Sequence, residues 1–458
     1  MLKRFMLGAT AFAIFTSTLV LPASAMSLPE IKQTKLSNGI PVYYIERHDL
    51  PIVSARLILK AGGVFDPAGK SGVSDFTADL LTKGTKKYTA EQLAESTEFV
   101  GGTIGGSAGS NTASIGLTFL KKDLDRGLDL FREIVQFPTF PQEEFDKLKS
   151  RALAGLESSL DDPDTISSIA STRMLYGDHP YGQTGSLAAI RAITREDVLR
   201  FHQKSYTPKA ATLLLIGDIT QADVQRFDRA IGDWQNEGTF SAEPGIVPRH
   251  RGKKVFLVDA DVSQAYITIG NTSMTRKDPD VYRASLMSFL LGGGYLSRLY
   301  QDIRTKQGLA YSVRSSVAPG RYAGSALVQV QTKSASAVQA IESILKEWKR
   351  TRAEGFTATE MKAGKTAILG EFARGMESNG ELLSDLADIA MNNLGLDYYQ
   401  RYPRFLNAID EKEVKRVANR CFDPENYVLV VVGKASELQK PLERFGEVTL
   451  LSKRSLIE

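Results

Sequence analysis

Two aspartates lie one helical turn apart in the segment GVSDFTADLLTKGT, residues 72–85. Asp75, Ala78 and Asp79 occupy positions i, i+3 and i+4, so a helix places their side chains on one face. Three residues with this spacing can hold a metal ion and a catalytic base. Aspartate, alanine and aspartate do so poorly. A solvated helix face is the first interpretation, and a site for a hard cation is the alternative.

An arginine and a tyrosine form a second pair of interest, in the segment LSRLYQDIRTKQGLAYSV, residues 296–313. Arg304 would lie in the last turn of a helix that ends at Gly308, and Tyr311 would lie early in the strand that follows. We therefore predict that both side chains project into one space. The alternative is that Arg304 forms a surface ion pair and Tyr311 packs in a sheet. The apolar residues that predict the helix are Leu296, Leu299, Tyr300 and Ile303.

The elements that carry these residues belong to an internal repeat. Segments 192–219 and 408–435 align with a constant offset of 216 residues, and each predicts a helix, a turn with proline and an apolar strand. The two strands, ATLLLIG and YVLVVVG, are almost wholly apolar, so we expect both of their faces to be buried. The matched pairs are Ile193 and Ile409, Val198 and Val414, Pro208 and Pro424, and Gly217 and Gly433.

This repeat predicts an α+β protein with two homologous domains, each a mostly antiparallel sheet with helices packed on one side. The first domain would span residues 26–236 and the second residues 254–458. Residues 237–253 between them are rich in glycine, proline and charge, as expected of a linker. Two such domains usually enclose a cleft, which is a favoured place for a ligand.

Residues 1–25 have the pattern of a secretory signal peptide. Lys3 and Arg4 precede an apolar run, and small residues end the pattern at Ala25. An uncleaved membrane anchor is the alternative, but the run is short and contains several polar residues. We therefore expect a periplasmic or secreted protein with no membrane association after cleavage.

The composition of the chain after residue 25 argues against a nucleic-acid partner and excludes an internal disulfide. Without Lys3 and Arg4 it holds 55 basic and 53 acidic residues, and this balance argues against a nucleic-acid partner. Cys421 is the only cysteine, so no internal disulfide stabilises the fold.

Five blocks of sequence together indicate a family. They are LSNGIPVYYIERHDLPIVSARLILKAGGVFDPAGKSGVSDF (37–76), LLTKGTKK (80–87), DDPD (161–164), HPYG (179–182) and SRLYQDIRTKQGLAYSV (297–313). In content and order they resemble the inverted-motif zinc metallopeptidases, which include pitrilysin, insulysin and the mitochondrial processing peptidase. The resemblance covers nearly the whole chain after the signal peptide, and it implies that the two domains form one half of a clamshell.

Active members of that family carry H-x-x-E-H, in which two histidines hold zinc and the glutamate activates water. The resemblance aligns this motif with Asp75, Ala78 and Asp79, so all three functional residues are replaced. The family's third ligand, a distal glutamate, would fall near Glu157, which alone cannot hold zinc. We therefore expect no metal site in this chain. The histidines are at least 23 residues apart and offer no helical ligand pair: His48, His179, His202 and His250.

The same resemblance gives the second pair a role. In active relatives, an arginine and a tyrosine at the positions of Arg304 and Tyr311 reach the substrate from the domain opposite the zinc. They hold the peptide backbone and stabilise the oxyanion, a task for which a guanidinium and a phenol are suitable donors. Gly292, Gly293 and Gly294 correspond to the family's glycine loop. They would let a peptide approach closely, or they are simply the loop that begins the helix.

Some relatives divide these parts between two homologous chains. The resemblance therefore implies a non-zinc-binding subunit of a heterodimeric periplasmic zinc metallopeptidase, inactive alone. It would supply Arg304 and Tyr311 to a partner H-x-x-E-H subunit that holds the zinc, and a peptide would be the substrate. The alternative, from a different class, is a non-proteolytic peptide-binding or assembly and scaffold protein of the same fold.

Overall fold

The structure is a computed structural model that describes residues 28–238 and 243–458. The predicted signal peptide and residues 239–242 of the predicted linker lie outside the described residues. Two six-stranded sheets, one in each half of the chain, form the framework. Within the described residues, no helix is long and apolar enough to cross a membrane.

Six strands of the first half form one sheet: β1 (Lys32–Lys35), β2 (Pro41–Glu46), β3 (Ile52–Leu59), β4 (Thr103–Ala108), β5 (Ala113–Leu120) and β6 (Ala211–Gly217). Their order in the sheet is β1-β2-β6-β3-β5-β4. The pair β2 and β6 is parallel, and the other neighbouring pairs are antiparallel.

Six strands of the second half form the other sheet: β7 (Lys253–Asp259), β8 (Gln264–Ser273), β9 (Ala310–Ala318), β10 (Gly324–Lys333), β11 (Tyr427–Gly433) and β12 (Val448–Ser452). Their order is β12-β7-β11-β8-β10-β9. β7 runs parallel to both β11 and β12, and the remaining pairs are antiparallel.

Five strands of each sheet repeat one topology. The series β2-β6-β3-β5-β4 has the same order and the same strand directions as β7-β11-β8-β10-β9. Only the outermost strand differs, since β1 precedes the first series in the chain and β12 follows the second. The predicted α+β architecture with a duplicated unit is therefore confirmed.

The helices of the first half are α1 (Val73–Leu80), α2 (Ala90–Glu98), α3 (Leu124–Gln136), α4 (Gln142–Ser158), α5 (Pro163–Tyr176), α6 (Leu187–Ala192), α7 (Arg195–Ser205) and α8 (Gln221–Ile231). The helices of the second half are α9 (Val281–Gly292), α10 (Ala337–Glu354), α11 (Ala358–Gly375), α12 (Asn379–Asn392), α13 (Tyr398–Ala408), α14 (Glu411–Cys421) and α15 (Ala435–Leu442). Most of them pack on the sheet of their own half, in two separate apolar cores.

The opposite face of each sheet is covered by a helix from the other half. α5 of the first half packs on β8 and β11, and α12 of the second half packs on β3 and β6. α5 and α12 are repeat partners, because their first residues are also 216 positions apart. This exchange explains why β6 and β11 are apolar on both faces, as predicted. Each half therefore packs its own helices on one side of its sheet, as predicted. The helix that covers the other side comes from the opposite half, which the sequence did not predict.

Candidate functional site

The segment that carries Arg304 follows α9 and ends in a wide π-helical turn, Tyr300–Lys306. Leu299 and Ile303 are fully buried in the second core and hold this segment from the inside. A π turn inserts one extra residue into a helix, and such turns are frequent at functional sites. Here the turn leaves Arg304 partly buried on the outer side. Leu296, which the helical spacing assigned to the core, is instead 80% exposed.

Arg298 anchors the start of this segment. Its guanidinium forms two hydrogen bonds with the Glu360 carboxylate of α11, at 2.7 and 2.9 Å, and its side chain is only 6% exposed. Burial alone would raise the pKa of Glu360, but Arg298 and the Thr357 amide lower it to about 2. Such a bidentate pair fixes direction as well as distance. The role of Arg298 is not predictable from the sequence, because an arginine in a helix has no pattern that indicates a buried partner.

Tyr311 lies at a bulge in the edge strand β9. Ala310 pairs with Thr332 and Ser312 pairs with Gln331, so Tyr311 has no opposite residue in β10. A bulge of this kind bends a strand and redirects a side chain. The Tyr311 side chain is 75% exposed, which shows that it does not pack in the sheet.

The two irregular elements bring Arg304 and Tyr311 together. The guanidinium carbon of Arg304 lies 5.2 Å from the Tyr311 ring centroid and 5.0 Å from that of Tyr300. Contacts of this kind hold a cation by attraction to the aromatic faces. Unlike Arg298, Arg304 has no carboxylate within ion-pair distance among the described residues, so its hydrogen-bond donors remain available. Tyr300, which sequence analysis assigned to the apolar face of a helix, is therefore the second ring beside Arg304.

Arg304 lines a cavity of about 550 Å³ at the end of the second sheet. Its walls come from α9, the π-helical turn, β8, β9, β10 and the exchanged helix α5. The three glycines predicted to admit a substrate are also part of its lining: Gly292, Gly293 and Gly294.

Packing inside the protein explains two of these three glycines. A Cβ at Gly292 would lie 2.5 Å from the Ser315 nitrogen, and one at Gly293 would lie 2.6 Å from the Phe289 Cα. Gly292 thus allows the end of α9 to pack closely on β9. Only at Gly294 does a Cβ find space, with its nearest atom at 3.6 Å. Gly294 is therefore the one position of the three where the structure leaves room beside the backbone.

The degenerate motif occupies α1 in the first half. Asp75 and Asp79 are exposed, whereas Ala78 is fully buried between them. The edge strand β4 passes so close that a Cβ at Gly106 would lie 2.2 Å from the Ala78 carbonyl oxygen. The position that corresponds to the catalytic glutamate therefore packs against backbone in this chain.

The carboxyl groups of α1 have shifted pKa values but do not complete the ligand set of a zinc site. Desolvation, with repulsion from Asp66 and Asp79, raises the pKa of Asp75 to about 6. Desolvation also raises the pKa of Asp79, against the opposing charges of Arg151 and Lys83. Within the described residues, no group of three or more His, Cys, Asp or Glu side chains has the arrangement of a metal site. The residues present do not fit the zinc that the family motif implies.

Glu157, the residue nearest to the expected position of the distal ligand, lies in another environment. It is exposed at the end of α4, and its carboxylate is 3.7 Å from the Arg454 guanidinium near the carboxyl end of the chain. The residue of α4 whose charge acts on Asp79 is Arg151. The structure therefore places a cation near the second aspartate and does not bring Glu157 into a ligand set with the pair.

One further motif, GGSAG at 105–109, has the G-x-S-x-G pattern of serine hydrolases. In those enzymes the serine stands on a sharp turn between a strand and a helix. Here Ser107 lies within β4, and its hydroxyl is 3.1 Å from the Ser114 hydroxyl on β5. The described residues show no histidine hydrogen-bonded to it, so the match does not form a nucleophile site.

Comparisons with known proteins agree with this architecture. A family model described as insulinase, peptidase family M16, matches residues 42–182, and the model of the peptidase M16 inactive domain matches residues 192–368. A Helicobacter pylori protein named non-peptidase homolog YmxG is 26% identical over 402 residues, which cover 87% of this chain and 91% of that protein.

Two solved structures share the fold. The crystal structure of a peptidase M16 inactive domain from Pseudomonas fluorescens matches with a TM-score of 0.83 and 25% identity, over 88% of this chain and 98% of that one. The periplasmic protease PqqL from Escherichia coli matches with a TM-score of 0.76 and 13% identity, over 93% of this chain but 49% of that longer one. The chain belongs to the insulinase family, peptidase family M16, as its motifs predicted.

Proposed function

We propose that this chain is the non-zinc subunit of a two-chain peptidase, and that it supplies Arg304 and Tyr311 to a homologous H-x-x-E-H subunit. The observation that carries the proposal is the position of Arg304 and Tyr311. A π-helical turn and a β-bulge each direct one donor outward, beside a cavity, and Arg304 has no carboxylate partner among the described residues. Hydrogen-bond donors held in this way can stabilise the negative charge that develops on the carbonyl oxygen during peptide hydrolysis.

The division of labour follows from what the first half lacks. Its α1 carries Asp75, Ala78 and Asp79 and does not fit zinc, so the activated water must come from the partner. The fold of this chain matches about half of a longer periplasmic protease, 49% of its length, and a second homologous subunit would complete a body of that size. We also propose that the pair works in the periplasm or outside the cell, since residues 1–25 have the signal-peptide pattern.

The test uses the chain purified with a homologous H-x-x-E-H subunit. Arg304→Ala and Tyr311→Phe should leave assembly intact and lower kcat of peptide cleavage by about a hundredfold each, the usual loss when one oxyanion donor is removed. Binding of the peptide should change less, because the contact tightens in the transition state.

A matched control is Arg191→Ala on α6, an exposed arginine outside the cavity. It should retain full activity. If both site variants cleave peptides at the rate of the unmodified pair while the heterodimer still forms, the two residues have no catalytic role. The non-proteolytic scaffold would then be the better description, in line with the name of the Helicobacter pylori relative.

A further inference from the structure

The cavity beside Arg304 contains a second arginine that oxyanion stabilisation does not use. Arg314 lies on β9, exposed and directly opposite Gln329 of β10. Among the described residues it has no carboxylate within ion-pair distance, and the residues outside the described ranges contain no aspartate or glutamate. Two guanidinium groups without carboxylate partners therefore line one cavity.

The rest of the cavity is mostly uncharged. The side-chain amide of Gln331 donates to the Tyr266 hydroxyl at 2.9 Å and to the Gln264 side-chain oxygen at 2.6 Å. The part of the cavity wall formed by β8 and β10 is therefore hydrogen-bonded and neutral. The one acidic lining residue, Asp164, stands on α5 and is not paired with either arginine. An anion entering this space is attracted to the β9 side and repelled from the α5 side.

The other half of the molecule shows that Arg314 is not required by the fold. Strand register makes Gly105 its counterpart, because the row Leu214, Arg56, Gly116 and Gly105 of the first sheet corresponds to Val430, Thr268, Gln329 and Arg314 of the second. The corresponding cavity of the first half is lined on this row by Gly105 and Gly116, and its cation, Arg56, stands on the inner strand β3. The repeated edge strand therefore forms without a cation at this position.

We propose that Arg314 is a specificity-determining residue that binds an acidic side chain of the peptide substrate. A guanidinium with free donors is the side chain best suited to hold a carboxylate through two hydrogen bonds. Arg314 is three residues from Tyr311, but the bulge takes up one of them, so at about 3.3 Å per residue the two lie about 7 Å apart along β9. An extended peptide that follows this edge places its acidic residue about two positions from the bond held at Arg304 and Tyr311.

The inference rests on the proposed function only for the position of the cleaved bond, and its binding test needs no partner. Fluorescein-labelled decapeptides of serine, glycine and alanine, each with one glutamate or one glutamine at a scanned position, are titrated into the purified full chain by fluorescence anisotropy. We expect about tenfold tighter binding of the best glutamate peptide than of its glutamine counterpart. Arg314→Gln should abolish that preference, Arg314→Glu should reverse it towards lysine peptides, and Arg191→Gln should leave it unchanged.

Equal binding of glutamate and glutamine peptides by the unmodified chain, or an unchanged preference in Arg314→Gln, would overturn the assignment. If the chain alone binds none of the peptides, the ratio of kcat/KM for each glutamate and glutamine pair, measured with the zinc subunit, decides in the same way. A binding preference without any cleavage by the pair would instead count against the proposed function and leave the role of Arg314 standing.

Discussion

The two halves of the molecule share five strands in one order, yet they differ where a helix leads into the edge strand. In the first half α2 is a regular helix, and β4 pairs with β5 without a bulge. In the second half the same junction contains a π turn and a bulge. Thr97 aligns with Arg304, and its buried hydroxyl donates to the Leu93 carbonyl at 2.7 Å. Strand register matches Ile104 with Val313 and leaves the bulged Tyr311 without a counterpart.

The comparison shows where a duplicated fold can diverge in function. The sheets and the exchanged helices are repeated because they form the cores, and changes there leave cavities or buried polar groups without hydrogen-bond partners. A single extra residue in a helix end or an edge strand disturbs little packing, yet it turns a side chain outward. The second half has two such insertions next to each other, and the first half has none at that junction.

The largest expected effect concerns zinc, which the degenerate motif on α1 of the first half should fail to bind. The purified chain alone should bind no stoichiometric zinc and should not cleave peptides, because a catalytic zinc needs about three protein ligands and an open position for water. Metal analysis of the dialysed chain and a peptide assay test this. One tightly held zinc per chain that survives in Asp75→Ala and Asp79→Ala would reveal another site, whereas its loss in those variants would make α1 a true metal site.

A smaller effect is expected at the anchor of the second half. Arg298→Ala should lower the free energy of unfolding by about 2 kcal/mol, because it removes a buried guanidinium and leaves the half-buried Glu360 carboxylate without this partner. Urea unfolding measures this change. Arg444→Ala is the control, since its pair with Glu342 lies on the surface and should contribute about 0.5 kcal/mol. If both variants lose the same free energy of unfolding, burial does not strengthen the ion pair between Arg298 and Glu360.

The close contact between α1 and β4 gives a prediction for the first half. Gly106→Ala should lower the free energy of unfolding by about 2 kcal/mol, because the new methyl group meets the Ala78 carbonyl oxygen and the backbone must move. Gly105→Ala, one residue earlier, meets no atom within 4 Å and should be nearly neutral. Thermal unfolding of both variants separates this steric effect from a general effect of alanine in the strand.

The sequence predicted what depends on periodicity and repetition. The repeat pairs indicated the duplicated α+β unit, and the apolar strands indicated that β6 and β11 are buried on both faces. The side-chain spacing also placed Arg304 and Tyr311 on neighbouring elements. It did not predict that α5 and α12 are exchanged, because an amphipathic pattern does not identify the sheet on which a helix packs. The π turn and the bulge were likewise missed, since each arises from tertiary packing against the core.

The smallest expected effect is the titration of α1 in the first half, where two carboxyl groups are shifted in opposite directions. The pKa of Asp75 is raised to about 6 by desolvation, Asp66 and Asp79, whereas hydrogen bonds from Arg132 and Gln136 lower the pKa of Asp233 to about 2. A carboxyl group whose pKa is higher in the folded state than in the unfolded state binds protons more tightly when folded. Its protonation therefore stabilises the fold as the pH falls, and this stabilisation is lost as the pH rises through about 6.

Asp75→Asn should accordingly be more stable than the unmodified chain at about pH 7.5, and the difference should shrink as the pH falls below about 6 and largely disappear near pH 4, the range of an unfolded aspartate. The gain should be below about 1 kcal/mol, because Asp75 is exposed and solvent screens its repulsion from Asp66 and Asp79. Asp233→Asn provides a control of opposite sign, since it removes a carboxylate that Arg132 stabilises, and it should be less stable at both pH values. Thermal unfolding across this range tests both variants. A stability gain for Asp75→Asn that persists undiminished at pH 4 would show that the carboxylate charge is not what destabilises the degenerate motif.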